Sequence, residues 1–162
     1  MLARSTLLFA TLASTSACAL GETAAPTGVV PSYLAIVVAL ADDDIASVRA
    51  DADELGRIAA TMSASPGMAK VASGAKALGG ADIEATRTAF KSVSDGMIEY
   101  MRADASTQAG NTIVFCPMAF ADTGALWVQA HGKIANPYFG ASMMRCGNKL
   151  AWDAALPATA AL

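Results

Sequence analysis

Two runs of apolar residues at helical spacing constrain this chain more than anything else in it. Ile45, Val48, Ala52, Leu55, Ala59 and Met62 recur at alternating steps of three and four. That spacing draws one apolar stripe along a helix of about four to five turns. Ile83, Thr86, Phe90, Val93, Met97 and Met101 draw a second, with Asp82 placed to cap it. Met97 and Met101 continue that stripe and read as core. Two shorter stripes accompany them. Leu34, Val37, Val38 and Ala41 follow Ser32, a good N-cap residue. Met68, Val71, Ala75 and Leu78 lie between the breakers Ser65-Pro66-Gly67 and Gly79-Gly80. The acidic run Asp42-Asp43-Asp44 marks a break and a helix start, where carboxylates complement the positive helix end. It reads as solvated, since nothing nearby supplies the further oxygens of a calcium site.

The helical period disappears near Gly110. Thr112 to Phe115 is β-branched and aromatic and predicts an extended segment leading into Cys116. Pro117 and Gly124 suit turns, and Leu126-Trp127-Val128 suggests a second extended piece. Asn136-Pro137-Tyr138-Phe139-Gly140 reads as a turn. Ser142 to Cys146 reads as one helical turn ended by Gly147. The expected fold is mostly α: a small helical bundle with a C-terminal extended, loop-rich segment. A length of 162 residues makes one domain the default. The expected organisation is a signal segment over 1–19, a linker over 20–31, a helical domain over 32–152 and a flexible tail over 153–162.

The signal reading rests on Arg4, the apolar run Leu7, Leu8, Phe9, Ala10 and Leu12, and the small residues from Ser14 to Ala19. That run is too short for a bilayer, which needs about 20 residues. Ser16-Ala17-Cys18 resembles a lipoprotein processing box with Cys18 as the acylated residue, although Thr15 stands where leucine is usual. The alternative is ordinary cleavage after Ala19. Either ending predicts a protein of the bacterial periplasm or envelope, with any membrane attachment made through a lipid on Cys18.

Composition narrows the function. Charged residues make up only 15% of the chain and the net charge is -3, so no basic patch invites nucleic acid. The single histidine, His131, rules out a zinc site of several imidazoles within one chain. There is no Ser-His-Asp set in recognisable context, no Gly-rich phosphate loop and no C-x-x-C pair, and no enzyme is expected.

The chemistry-bearing residues gather in the last third. Cys116 and Met118 are two apart, which places them on one face of an extended segment. Met143 and Cys146 are three apart, which makes them neighbours on a helical turn. Brought together, the two pairs would form a sulfur site of two to four ligands. Thiolates and thioethers are soft donors and select Cu(I). Met144 and His131 are accessory donors in this reading; each also reads simply as a packing or surface residue. Trp127 and Tyr138 read as packing residues able to shield such a site. In an oxidising envelope the same two cysteines can instead pair. That loop would stabilise the fold by roughly 3–4 kcal/mol on the chain-entropy model. On spacing alone the disulfide ranks first.

Four motifs occur in a familiar order: Cys116-Pro117-Met118-Ala119, Gly124-Ala125-Leu126-Trp127-Val128-Gln129, Asn136-Pro137-Tyr138-Phe139-Gly140, and Met143 with Cys146-Gly147. In them the chain resembles the bacterial "domain of unknown function 3347" family. Tyr33-Leu34, Leu40-Ala41, Asp43-Asp44, Phe90 and Val93-Ser94 agree with its helical half. Val128 and Met144 stand where leucine is commoner. Members occur as small exported proteins and as extensions of periplasmic adaptor subunits of heavy-metal efflux systems. The resemblance implies a copper or heavy-metal-binding domain, with Cys116, Met118, Met143 and Cys146 as ligands. It implies Cu(I), or Ag(I), as the bound ion and an efflux component as partner. It moves metal binding ahead of the disulfide.

Overall fold

The computed structural model describes residues 28–80 and 82–157. The expected signal segment with Cys18, the linker up to residue 27 and tail residues 158–162 lie outside the described residues.

Both long stripes form helices: α2 spans Ile45–Thr61 and α4 spans Ile83–Ala103. Each begins on an aspartate. Asp44 accepts the Ala46 and Ser47 amides at 3.1 Å, and Asp82 accepts that of Ala85 at 2.8 Å. These bonds satisfy amides that the first turn leaves without partners. Val48, Ala52, Leu55 and Ala59 are buried on α2, as are Thr86, Phe90, Val93, Met97 and Met101 on α4. α1 spans Val29–Ala41 and α3 spans Met68–Ala75. α1 packs on α2, α2 on α3 and α3 on α4.

The start and the buried face of α1 differ from the sequence reading. The helix begins at Val29, so Ser32 lies buried inside it rather than capping it. Pro31 sits in the first turn, where its missing N–H costs no helical bond. The buried face carries Tyr33, Ile36, Val37 and Leu40, while Val38 is 57% exposed. The segment is apolar almost all round, so its period fits two faces offset by one residue. A buried hydroxyl decides between them. Tyr33 Oη lies 2.7 Å from Ser94 Oγ and accepts the Val128 amide at 2.9 Å. The Tyr33 ring stacks on Phe90 at 5.5 Å.

That amide belongs to a small antiparallel sheet that packs on α4. β1 spans Asn111–Cys116, β2 spans Ala125–Ala130 and β3 spans Asn148–Leu150, in the order β2-β1-β3. The two extended pieces read from the sequence are β1 and β2. β3 is too short and polar to announce itself. Between β1 and β2, Phe120, Ala121 and Asp122 follow one another in the left-handed region at φ 53, 53 and 64. Such a run is costly for residues with a Cβ. After β3 the chain keeps packing against the body as far as Leu156, and Trp152 Nε1 donates to the Asn111 carbonyl at 3.2 Å.

Candidate metal centre

β1 ends on Cys116, and Cys146 stands in the turn that leads into β3. Phe115 pairs with Asn148, and continuing that register sets Cys116 opposite Gly147, one residue from Cys146. Gly147 has φ 146, and a Cβ there would lie 2.8 Å from Val114 Cγ1 and 3.0 Å from Trp127 Cη2. Only glycine lets the chain cross that face so closely. Cys116 is fully buried, Cys146 is half-buried, and both are free thiols. The Cys146 sulfur is near enough to the Cys116 sulfur and the Met118 backbone amide for both to act on its protonation. Burial, then the Cys116 sulfur, push the Cys146 thiol up to about 11, against the opposing pull of the Met118 amide.

The methionines reach this place differently from the sequence reading. β1 stops at Cys116, because Pro117 has no amide for the ladder and turns the chain. The strand rule that would aim Met118 beside Cys116 therefore does not apply. Met118 is 48% exposed, and its backbone amide acts on the Cys146 thiol. Residues 142–146 do not form a helical turn. A 3₁₀ turn covers Gly140–Ser142, and a tight turn follows in which the Cys146 amide donates to the Met143 carbonyl at 3.0 Å. That turn still draws Met143 and Cys146 together, with Met143 and Met144 half-buried. His131 follows β2 at the far end of the hairpin. It is about 17 Å of strand from Cys116, and its Nε2 is 2.9 Å from the Asn111 carbonyl. It is not brought to the thiols.

Two residues beyond the sulfur donors hold the site. Asn136 is fully buried. Its Nδ2 donates to the Cys146 carbonyl at 2.8 Å, and its Oδ1 accepts the Tyr138 and Phe139 amides at 2.8 and 3.2 Å. Its own amide donates to Met144. Tyr138 donates its hydroxyl to Leu126 at 2.6 Å, and its ring meets those of Phe90, Phe120 and Trp127. The sequence marked these residues only as a turn and a packing aromatic. Asp43 is likewise more than a solvated helix start. It accepts the Ala141 amide at 3.1 Å and receives Arg87, contacts that hold its carboxyl below the usual range, the Ala141 amide most of all.

The residues that could hold a soft monovalent ion are sulfur donors. Two adjacent thiols can supply thiolates, and thioethers stand on the flanking turns. Among the described residues, no three His, Cys, Asp or Glu side chains are placed to hold a metal, so an ion here would depend on sulfur. Comparison with known proteins adds no relative: no family model, no curated protein and no solved structure matches the chain.

Proposed function

We propose that this chain is an exported, non-enzymatic envelope protein that binds Cu(I), with Ag(I) as an alternative ion, for buffering or for handover to an efflux system. One observation carries the reading: two free cysteines, one ending β1 and one in the turn before β3, meet at the edge of a helical scaffold. Cys116 and Cys146 would be the principal ligands. Met143 stands on the Cys146 turn. Met118 would join by turning its exposed thioether inward. Few ligands and one exposed edge suit stepwise ligand exchange. The four ordered motifs support kinship with the "domain of unknown function 3347" family, and the helices would form the small bundle expected of it. The signal-like N-terminus supports export.

The same contact favours a second reading, a structural module closed by a Cys116–Cys146 disulfide. Metal analysis separates the two. Protein purified under reducing conditions and loaded anaerobically should retain about one Cu(I) per chain through gel filtration. Retention no greater than that of a Cys116→Ser, Cys146→Ser double variant would favour the disulfide module.

A further inference from the structure

A second feature adjoins the sulfur site and shares Met118 and Tyr138 with it. A surface cleft of about 370 Å³ opens between the start of α4, the left-handed turn and the Tyr138-Phe139 turn. Phe120, Tyr138 and Phe139 line it with aromatic rings, Met118 contributes a thioether, and Glu84 and Arg87 are the charged groups. The Phe120 and Tyr138 rings meet at 5.3 Å with their planes 67° apart, so two walls form a corner.

Arg87 would suggest an anion, but its bonds argue otherwise. Its side chain is only 7% exposed. Nε donates to the Pro137 carbonyl at 3.1 Å, Nη1 to Glu84 at 3.0 Å, and Nη2 to Leu40 and Asp43. Two carboxylates against one guanidinium leave the locality with a net charge of about -1 at neutral pH. An arriving anion would meet Glu84 in the cleft lining, with the Arg87 donors already bonded and little capacity left to reward it. Glu84, in contrast, is 78% exposed at the cleft. A carboxylate beside aromatic rings suits an organic cation, since ring faces attract positive charge. The cleft volume exceeds a bare ammonium and leaves room for an alkyl stem.

The backbone supplies an independent observation. Phe120 holds its ring against Tyr138 from a left-handed conformation that glycine would adopt without strain. Strain of this kind persists where the surroundings enforce it, and it clusters at ligand clamps. Gly140, behind the cleft, is held just as closely: a Cβ there would clash with Asp43 and Arg87. The packing of Tyr138 against Phe90, Phe120 and Trp127 therefore holds the cleft wall in place.

We propose that this cleft binds the cationic head and alkyl stem of a lysine- or arginine-like side chain. Glu84 meets the charge, and Phe120, Tyr138 and Phe139 enclose the stem. The inference does not depend on copper. The test uses the reduced, metal-free chain and two-dimensional amide NMR. Nα-acetyl-lysine amide should shift the Phe120, Ala121, Phe139 and Ser142 amides saturably and less so at high salt. Glu84→Gln should weaken that binding about fivefold, and Phe120→Gly should abolish the saturable shifts. If Phe120→Gly loses the native spectrum, Phe139→Ala carries the same expectation. The uncharged Nα-acetyl-norleucine amide should bind more weakly, and Nα-acetyl-glutamate should leave these amides unmoved. An equal response to the norleucine probe, a stronger response to the glutamate probe, or no saturable shift with lysine would overturn the proposal.

Discussion

Asn136 is the side chain from which the Cys146 turn hangs. Its three side-chain bonds and its buried position make it more than a turn former. Asn136→Ala strands the two amides and the carbonyl it serves, and should cost about 2–4 kcal/mol in urea unfolding; a loss under about 0.5 kcal/mol would show that the turn stands without it. Cys146 carries a second prediction. Its thiol is raised from the ordinary 9.0 to about 11. A thiol held above its unfolded value favours the folded state below pH 9, and that advantage is lost as pH climbs through 11. Thiolate absorbance in the Cys116→Ser variant should therefore show a lower Cys146 midpoint, moved only part of the way toward 9.0 because burial is the larger cause. An unchanged midpoint would mean that the two sulfurs do not interact. Little of this was legible in the sequence. An asparagine before proline signals a turn whatever its amide bonds, and a lone histidine reads as accessory ligand or surface residue alike until its partner, the Asn111 carbonyl, is known.

At the scale of elements, the two long helices were legible and the short pieces were not. A stripe repeated over four or five turns allows one buried face, and burial of Leu55 and Phe90 agrees with it. Leu55→Ala and Phe90→Ala should each cost about 2–5 kcal/mol. Val38→Ala, on the exposed side of α1, should stay within about 0.5 kcal/mol. Parity among the three in thermal or urea melts would contradict the assignment of faces. The face of α1 was not legible because nearly every residue of it is apolar; the Tyr33 hydroxyl, seeking Ser94 and the Val128 amide, sets it. Pro117 ended β1 before Met118 could share a face with Cys116. The left-handed run Phe120–Asp122 follows no sequence rule, since neither phenylalanine nor alanine favours that conformation.

Across the whole molecule, the helices carry no sulfur chemistry of their own; they fix the sheet. Tyr33 and Ser94 hold β2, β2 holds β1, and β1 aligns β3 so that Cys146 arrives beside Cys116. The proposed location has its own check. If Cys18 is lipid-modified, Cys18→Ser should move the protein from the membrane fraction to the soluble periplasm; a wild-type protein already soluble there would select cleavage after Ala19. The central claim is that the paired sulfurs hold Cu(I), and a competition titration against a calibrated Cu(I) chelator, with each variant reduced beforehand, tests it most directly. Cys116→Ser and Cys146→Ser should each weaken binding at least about tenfold, one thiolate contact being worth 1.4 kcal/mol or more. Met143→Leu should weaken it less, Met97→Leu should leave it unchanged, and Zn(II) should compete poorly because thioethers add little for it. Wild-type affinity no better than that of the Cys116→Ser, Cys146→Ser double variant would contradict the account.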